Sequence, residues 1–189
     1  TKWNLSRFAE CLIPLIDKNQ DKAVKLATEI INTFEKTYEE KWLKMMRAKL
    51  GLLGTNKKDK YLILDLLTWM HQSKVDYTNT FCHLMNFKIK ENHIYEDINF
   101  SNWKKRWEER IMENSNSTQK FINVMKKMNP LVIPRNHQIE EVLIEASQGN
   151  LSPLNKFLET LNNPYTYHKN ISKYQLPNSN ENYQTFCGT

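Results

Sequence analysis

Glycine is scarce in this chain, with four in 189 residues. Neither a G-x-G-x-x-G turn nor a G-x-x-x-x-G-K-[ST] loop can be drawn, and both need glycine where backbone approaches phosphate closely. The same scarcity argues against a sheet-rich fold with many tight turns. No G-x-S-x-G or H-E-x-x-H occurs. The histidines, His71, His83, His93, His137 and His168, never fall three or four apart, so no helix face carries a ligand pair, and no zinc spacing exists. No apolar run approaches the roughly 20 residues that span a bilayer. Read from its residues alone, the chain carries no recognisable catalytic, cofactor or metal centre, and no membrane partner is expected.

Cysteine is also sparse, and odd in number: Cys11, Cys82 and Cys187. Cys11 and Cys82 sit in apolar helical pattern and read as small buried hydrophobes. The scattered set, and the lack of a charged-then-apolar leader after Thr1, lead to the expectation of a reducing, cytoplasmic setting. Cys187 differs. It stands two residues before the last, on a polar tail where a thiol can reach a partner thiol, and is the redox-regulatory candidate.

Lysine and arginine outnumber aspartate and glutamate by 27 to 21, for a net charge of +6. Such a balance can signal an anionic partner. Here basic residues never run beyond three, and a solvated lysine-rich surface explains them. "NWKKRWEERI" does interleave basic and aromatic residues as single-strand binders do. However, Trp103, Trp107 and Ile111 share one inward stripe, whereas Lys104, Lys105 and Arg106 point elsewhere. Nucleic acid is not an expected partner; if it were, binding would weaken steeply with salt.

What the chain has in quantity is helical spacing. Leu5, Phe8, Ala9, Leu12 and Ile16 form one stripe, and Pro14 is expected to bend or end that helix. From about Asp21 to Leu50 a long helix places Ala23, Ala27, Ile30, Phe34, Tyr38, Trp42 and Met45 on one side, before Gly51 and Gly54 break it. Further helices carry Leu62, Ile63, Leu66, Leu67 and Met70, then Phe81, Cys82, Leu84 and Met85 behind an Asp76 cap. Residues 86–100 have mixed spacing. Later helices are expected from Asn102 to Glu113, around Phe121 to Met128, from a cap at Asn136 to Gly149, and from Ser152-Pro153 through Leu161. Glu140 and Glu141 suit the first turn of the Asn136 helix. Leu143 of that helix, and Leu154, Leu158 and Leu161 of the next, are expected to face inward.

The fold class is therefore all-α: a helical body over residues 1–163 and an irregular, Asn- and Tyr-rich tail over 164–189. The tail either lies extended over the body, held by Tyr165, Tyr167, Tyr174 and Phe186, or stays free of it. Between helices, "NPLVIPRNH" cannot be helical, because Pro130 and Pro134 interrupt it. Asn129, Pro130, Pro134, Arg135, Asn136 and His137 form a structural motif. Arg135 and His137 are expected to tie it to neighbouring carbonyls or carboxylates.

"WNLSRFAECLIPLI" at 3–16, "VDYTNTF" at 75–81, "NPLVIPRNH" at 129–137, "LSPLNKFLETLNNPY" at 151–165 and the closing "FCGT" resemble the selenoprotein O family in order and spacing. That resemblance implies a kinase-like protein adenylyltransferase. Such an enzyme binds ATP in an inverted orientation with Mg²⁺ or Mn²⁺ and transfers AMP to Ser, Thr or Tyr hydroxyls of protein substrates. The family's nucleotide and metal motifs precede the point where this chain starts, so none carries over. What carries over is Cys187, matching the family's near-terminal selenocysteine or cysteine, which is linked to redox control through a bond to a second, upstream cysteine.

The chain is thus expected to be a C-terminal fragment, supplying the end of a kinase-like C-lobe and the helical extension after it. Its chief partner would be the missing N-terminal kinase-like region. The alternative is a self-contained helical interaction module without an enzyme; against it, Thr1-Lys2-Trp3 begins directly inside a family motif. If the missing region covers the Phe8, Leu12 and Ile30 faces, the isolated chain exposes apolar surface and self-associates. Size-exclusion chromatography should then show a species larger than a compact monomer, and a clean monomer would contradict this.

Overall fold

The computed structural model describes residues 1–86, 92–113, 118–168, 171–178 and 183. Among the described residues all regular structure is helical, and none of their helices is long and apolar enough to cross a membrane. The chain forms two compact units, Thr1–Met46 and Arg47–Thr189. No loop marks the division, which falls inside one long helix.

In the first unit, α1 (Lys2–Ile16) runs through Pro14 rather than ending at it. The missing N–H removes one bond in the final turn, and the helix ends two residues later at Ile16, before an extended Asp17. Asn19 Oδ1 accepts from the Lys22 amide at 3.0 Å and starts α2 (Gln20–Lys49). Lys2 on α1 pairs with Glu35 on α2 at 3.1 Å, so the helices run back alongside one another. The least exposed row of α2 is Ala23, Ala27, Ile31, Phe34, Trp42 and Met46. Ile30, Tyr38 and Met45, which spacing alone places inward, are exposed instead.

The second unit begins with the last turn of α2. Gly51 and Gly54 both adopt φ +68°, reversing the chain. A Cβ on Gly51 would stand 3.0 Å from Phe121 Cβ and from Met125 Cγ, so glycine also permits the close approach of a later helix. Then follow α3 (Asp59–Gln72), α4 (Tyr77–Leu84), a 3-10 turn (Asn92–Glu96), α5 (Ile98–Met112) and α6 (Thr118–Met128). After them come α7 (Asn136–Ser147), α8 (Ser152–Asn162) and the short α9 (Ile171–Gln175).

The core is an aromatic row between α3 and α5. Trp69 meets Phe100 at 4.5 Å, Phe100 meets Trp103 at 5.7 Å, Trp103 stacks on Trp107 at 6.0 Å, and Trp107 meets Phe121 of α6 edge-on at 6.3 Å. Each buried indole N–H has an acceptor, as burial demands. Trp69 donates to Asp97 Oδ1 at 3.0 Å, and Trp103 and Trp107 donate to the Leu62 and Leu50 carbonyls, both at 2.8 Å. Asp97 Oδ1 also accepts from the Asn99 and Phe100 amides, so α5 starts at Ile98, four residues before the expected Asn102.

Other boundaries also differ from expectation. Arg135, not Asn136, occupies the cap position of α7; no side chain caps it, and neither Glu140 nor Glu141 lies in its first turn. Leu151, not Ser152, precedes α8, with Pro153 inside its first turn as expected. Leu143 and Leu158 are exposed, while Val142 and Phe157 turn inward. Within the tail, Tyr174 on α9 is buried against Phe157 at 5.2 Å, but Tyr165 and Tyr167 are exposed; Phe186 lies outside the described residues.

One buried carboxylate is central to this unit. Asp59 has no exposed side-chain surface and binds Arg47 Nε at 2.6 Å and Arg110 Nε at 2.7 Å. It also accepts from the Asn56 amide at 3.0 Å, while Arg110 Nη2 reaches the Leu53 carbonyl at 3.1 Å. Burial pushes this carboxyl up, but the bonds from Arg110, the Asn56 amide and Arg47 hold it below the ordinary carboxylate range. A lowered folded-state value means the stabilisation is full above the ordinary carboxylate range and is lost as pH falls through the lowered one. Asp59→Asn removes the carboxylate that both Arg47 and Arg110 bind, leaving Arg110 the exposed Glu113 at 3.5 Å, and is expected to cost about 3–5 kcal/mol in urea unfolding at neutral pH. That gap should close as pH drops below about 4, and a gap unchanged in acid would contradict the assignment.

Candidate functional site

The segment from Asn129 to Arg135 is a heavily connected stretch of irregular backbone. It leaves α6 where the Asn129 amide makes a last bond to the Met125 carbonyl at 2.9 Å. Pro130 and Pro134 then forbid a helix. Leu131 and Val132 are nonetheless buried, so their polar backbone needs partners from elsewhere. The Leu131 amide donates to the Pro164 carbonyl at 2.7 Å, and the Val132 amide reaches the same oxygen at 3.4 Å. The Leu131 carbonyl accepts from Gln175 Nε2 of α9 at 3.0 Å. The Pro130 carbonyl accepts from the Cys82 thiol of α4 at 3.6 Å.

Side chains complete the network. Asn129 is buried and donates to the Lys49 carbonyl of α2 at 2.7 Å and to the Met125 carbonyl at 3.0 Å. Arg135 grips Asp76 with two parallel bonds of 2.7 and 2.9 Å. Asp76 meanwhile caps α4, accepting from the Asn79 amide at 2.8 Å. Asn79 and Gln138 reach the Gln175 and Lys173 carbonyls at 3.0 and 3.2 Å, fastening α9. His137 is half-buried, edge-on to the Tyr183 ring at 6.4 Å. Pro134 and Asn136 are exposed, and Pro130 is half-buried.

Beneath the connector, the Lys49 ammonium lies 4.4 Å over the Phe81 ring and 5.3 Å over Tyr77, and burial pulls its proton affinity down. Neighbouring Cys82 is fully buried. Burial, aided by the Asp76 charge, pushes its thiol up to about 12, so it stays protonated and unreactive. Cys11, read from its pattern as buried, is exposed on α1, because that helix has no buried residue. Cys187 lies outside the described residues. Spacing overlooked the buried charges. Arg110 sits seven residues after Trp103, on the same inward stripe, and that position was the available signal.

Among the described residues, no group of three or more His, Cys, Asp or Glu side chains stands placed to hold a metal ion. The arrangement around the connector is a structural junction, in which polar groups secure the ends of five helices.

A family model described as protein adenylyltransferase SelO matches residues 1–162, and the chain belongs to that family. The protein nucleotidyltransferase YdiU of Pelagibacter ubique is 52% identical over 191 residues covering all of this chain. The proteins of the same name from Alcanivorax borkumensis and Clostridium botulinum are 42% and 43% identical, over 100% and 99% of it. The chain spans about two-fifths of the length of these relatives: 40%, 40% and 39%.

The grip of Arg135 on Asp76 is nearly buried at both ends, with side-chain exposures of 10% and 17%. A lysine cannot reproduce its fork. Arg135→Lys is expected to cost about 1–2 kcal/mol in urea unfolding. In a double-mutant cycle, Arg135→Ala and Asp76→Ala should couple by about 1–3 kcal/mol. Strict additivity would show that the pair contributes nothing.

Proposed function

We propose that this chain is the C-terminal part of a protein adenylyltransferase that transfers AMP from ATP to Ser, Thr or Tyr hydroxyls of other proteins. The observation that carries this reading is the SelO family match over residues 1–162, supported by YdiU relatives of which the chain spans only two-fifths. ATP and Mg²⁺ or Mn²⁺ belong to the rest of the polypeptide, a kinase-like region that is this chain's first partner. The working setting is the cytoplasm.

Within that enzyme the described helices act structurally, anchored through Asn129 and Arg135. Cys187 acts as a regulator. Its thiol and that of a cysteine outside this chain together give up two protons and two electrons to an oxidant and join as a disulfide.

The test is transfer of label from α-labelled ATP to protein, with Mg²⁺ or Mn²⁺, using the full-length protein and residues 1–189, each oxidised and reduced. Label is expected only with the full-length protein, and Cys187→Ser should abolish the response to oxidation. A full-length protein that never transfers label, or a chain that does so by itself, overturns the reading.

A further inference from the structure

The first unit has almost no interior: of its 46 residues only Ala23 and Met46 are buried. Its two helices are nevertheless apolar on more than one side. On α1, the face that holds Lys2, with its bond to Glu35 of α2, also carries Leu5, Ala9 and Ile13, all partly covered. The opposite face steps through Trp3, Arg7, Cys11 and Leu15 at four-residue intervals, with Phe8 beside them. There Trp3 is 70% exposed, Phe8 62% and Leu15 81%. Ile30 of α2 is 71% exposed. Helices in proteins draw most of their stability from packing an apolar face, and two helices side by side cannot enclose one. A Trp and a Leu in one row, with a Phe beside its Leu15 end, all on open surface, mark an interface.

We infer that the Trp3–Phe8–Cys11–Leu15 face of α1 docks against the remainder of its own polypeptide, the three-fifths of the relatives' length that this chain does not span. The inference rests on the proposed reading of the chain as part of a longer enzyme. Two observations favour this occupant over a second copy. The relatives have the additional length to supply a cover, and the residues of this face lie inside the family match. The covering surface must be apolar, with an acceptor for Arg7, which among the described residues pairs with Glu10 one turn along its own helix.

Cys11 is a built-in reporter, because it lies within the face and Cys82 is buried. The experiment takes the full-length protein carrying Cys187→Ser and follows maleimide labelling of Cys11 by mass spectrometry, natively and in urea. Labelling in the native monomer is expected to be at least about tenfold slower than in urea. Phe8→Glu should restore it. Native labelling as fast as in urea shows an open face and overturns the inference. Protection that disappears when a dimer is diluted to monomer assigns the face to a second copy and overturns it equally. Neither outcome depends on AMP transfer, so an inactive protein that still protects Cys11 would refute the proposed activity and leave the docking face standing.

Discussion

Pro130 and Pro134 deny the stretch from Asn129 to Arg135 a helical ladder, yet its middle is buried, and the second unit is organised around meeting that demand. A buried amide or carbonyl left without a partner costs about 1–3 kcal/mol. Each donor and acceptor supplied to the connector therefore fixes the element that supplies it. Pro164 is held because Leu131 needs its carbonyl, and α9 because Gln175 caps the Leu131 carbonyl. The C-terminal end of α2 is held through the Lys49 carbonyl. A segment without secondary structure thus aligns helices far apart in sequence.

The two buried ion pairs play different parts in this arrangement. Asp59 with Arg47 and Arg110 closes the turn between α2 and α3 and ties it to α5. Asp76 with Arg135 joins the cap of α4 to the entrance of α7. Removing a buried charge from water is expensive, so such pairs add specificity of register more surely than net stability. Lys49 follows another course. It has two aromatic faces beneath it, and desolvated contacts of that kind contribute roughly 2 kcal/mol.

Much of this was legible in the sequence where spacing carries information. The long α2, its end at Gly51, the Asp76 cap and the inward Trp103, Trp107 and Ile111 all follow from helical period and cap chemistry. Arg135 meets a carboxylate, which its place in a stiff polar connector suggested. Legibility failed where partners come from distant sequence. The start of α5 depends on Asp97, whose value as a cap is reinforced by Trp69, 28 residues earlier. Arg110 and Asp59 are inside because each has the other, 51 residues away. Cys11 and Ile30 illustrate the converse: apolar periodicity places both inward, yet both are exposed, because period marks a face as apolar and supplies no neighbour for it.

The two units differ in how they are held, since the second has an aromatic core and a hydrogen-bonded connector and the first has two fully buried residues. Hydrogen exchange of the 189-residue chain, read amide by amide, measures this difference directly. If the connector is the anchor, the Leu131 amide should exchange only on global opening of the second unit, along with those of the Trp103–Trp107 stretch, while amides of α1 exchange through far smaller fluctuations. A Leu131 amide exchanging as fast as those of α1 would contradict the connector's central place.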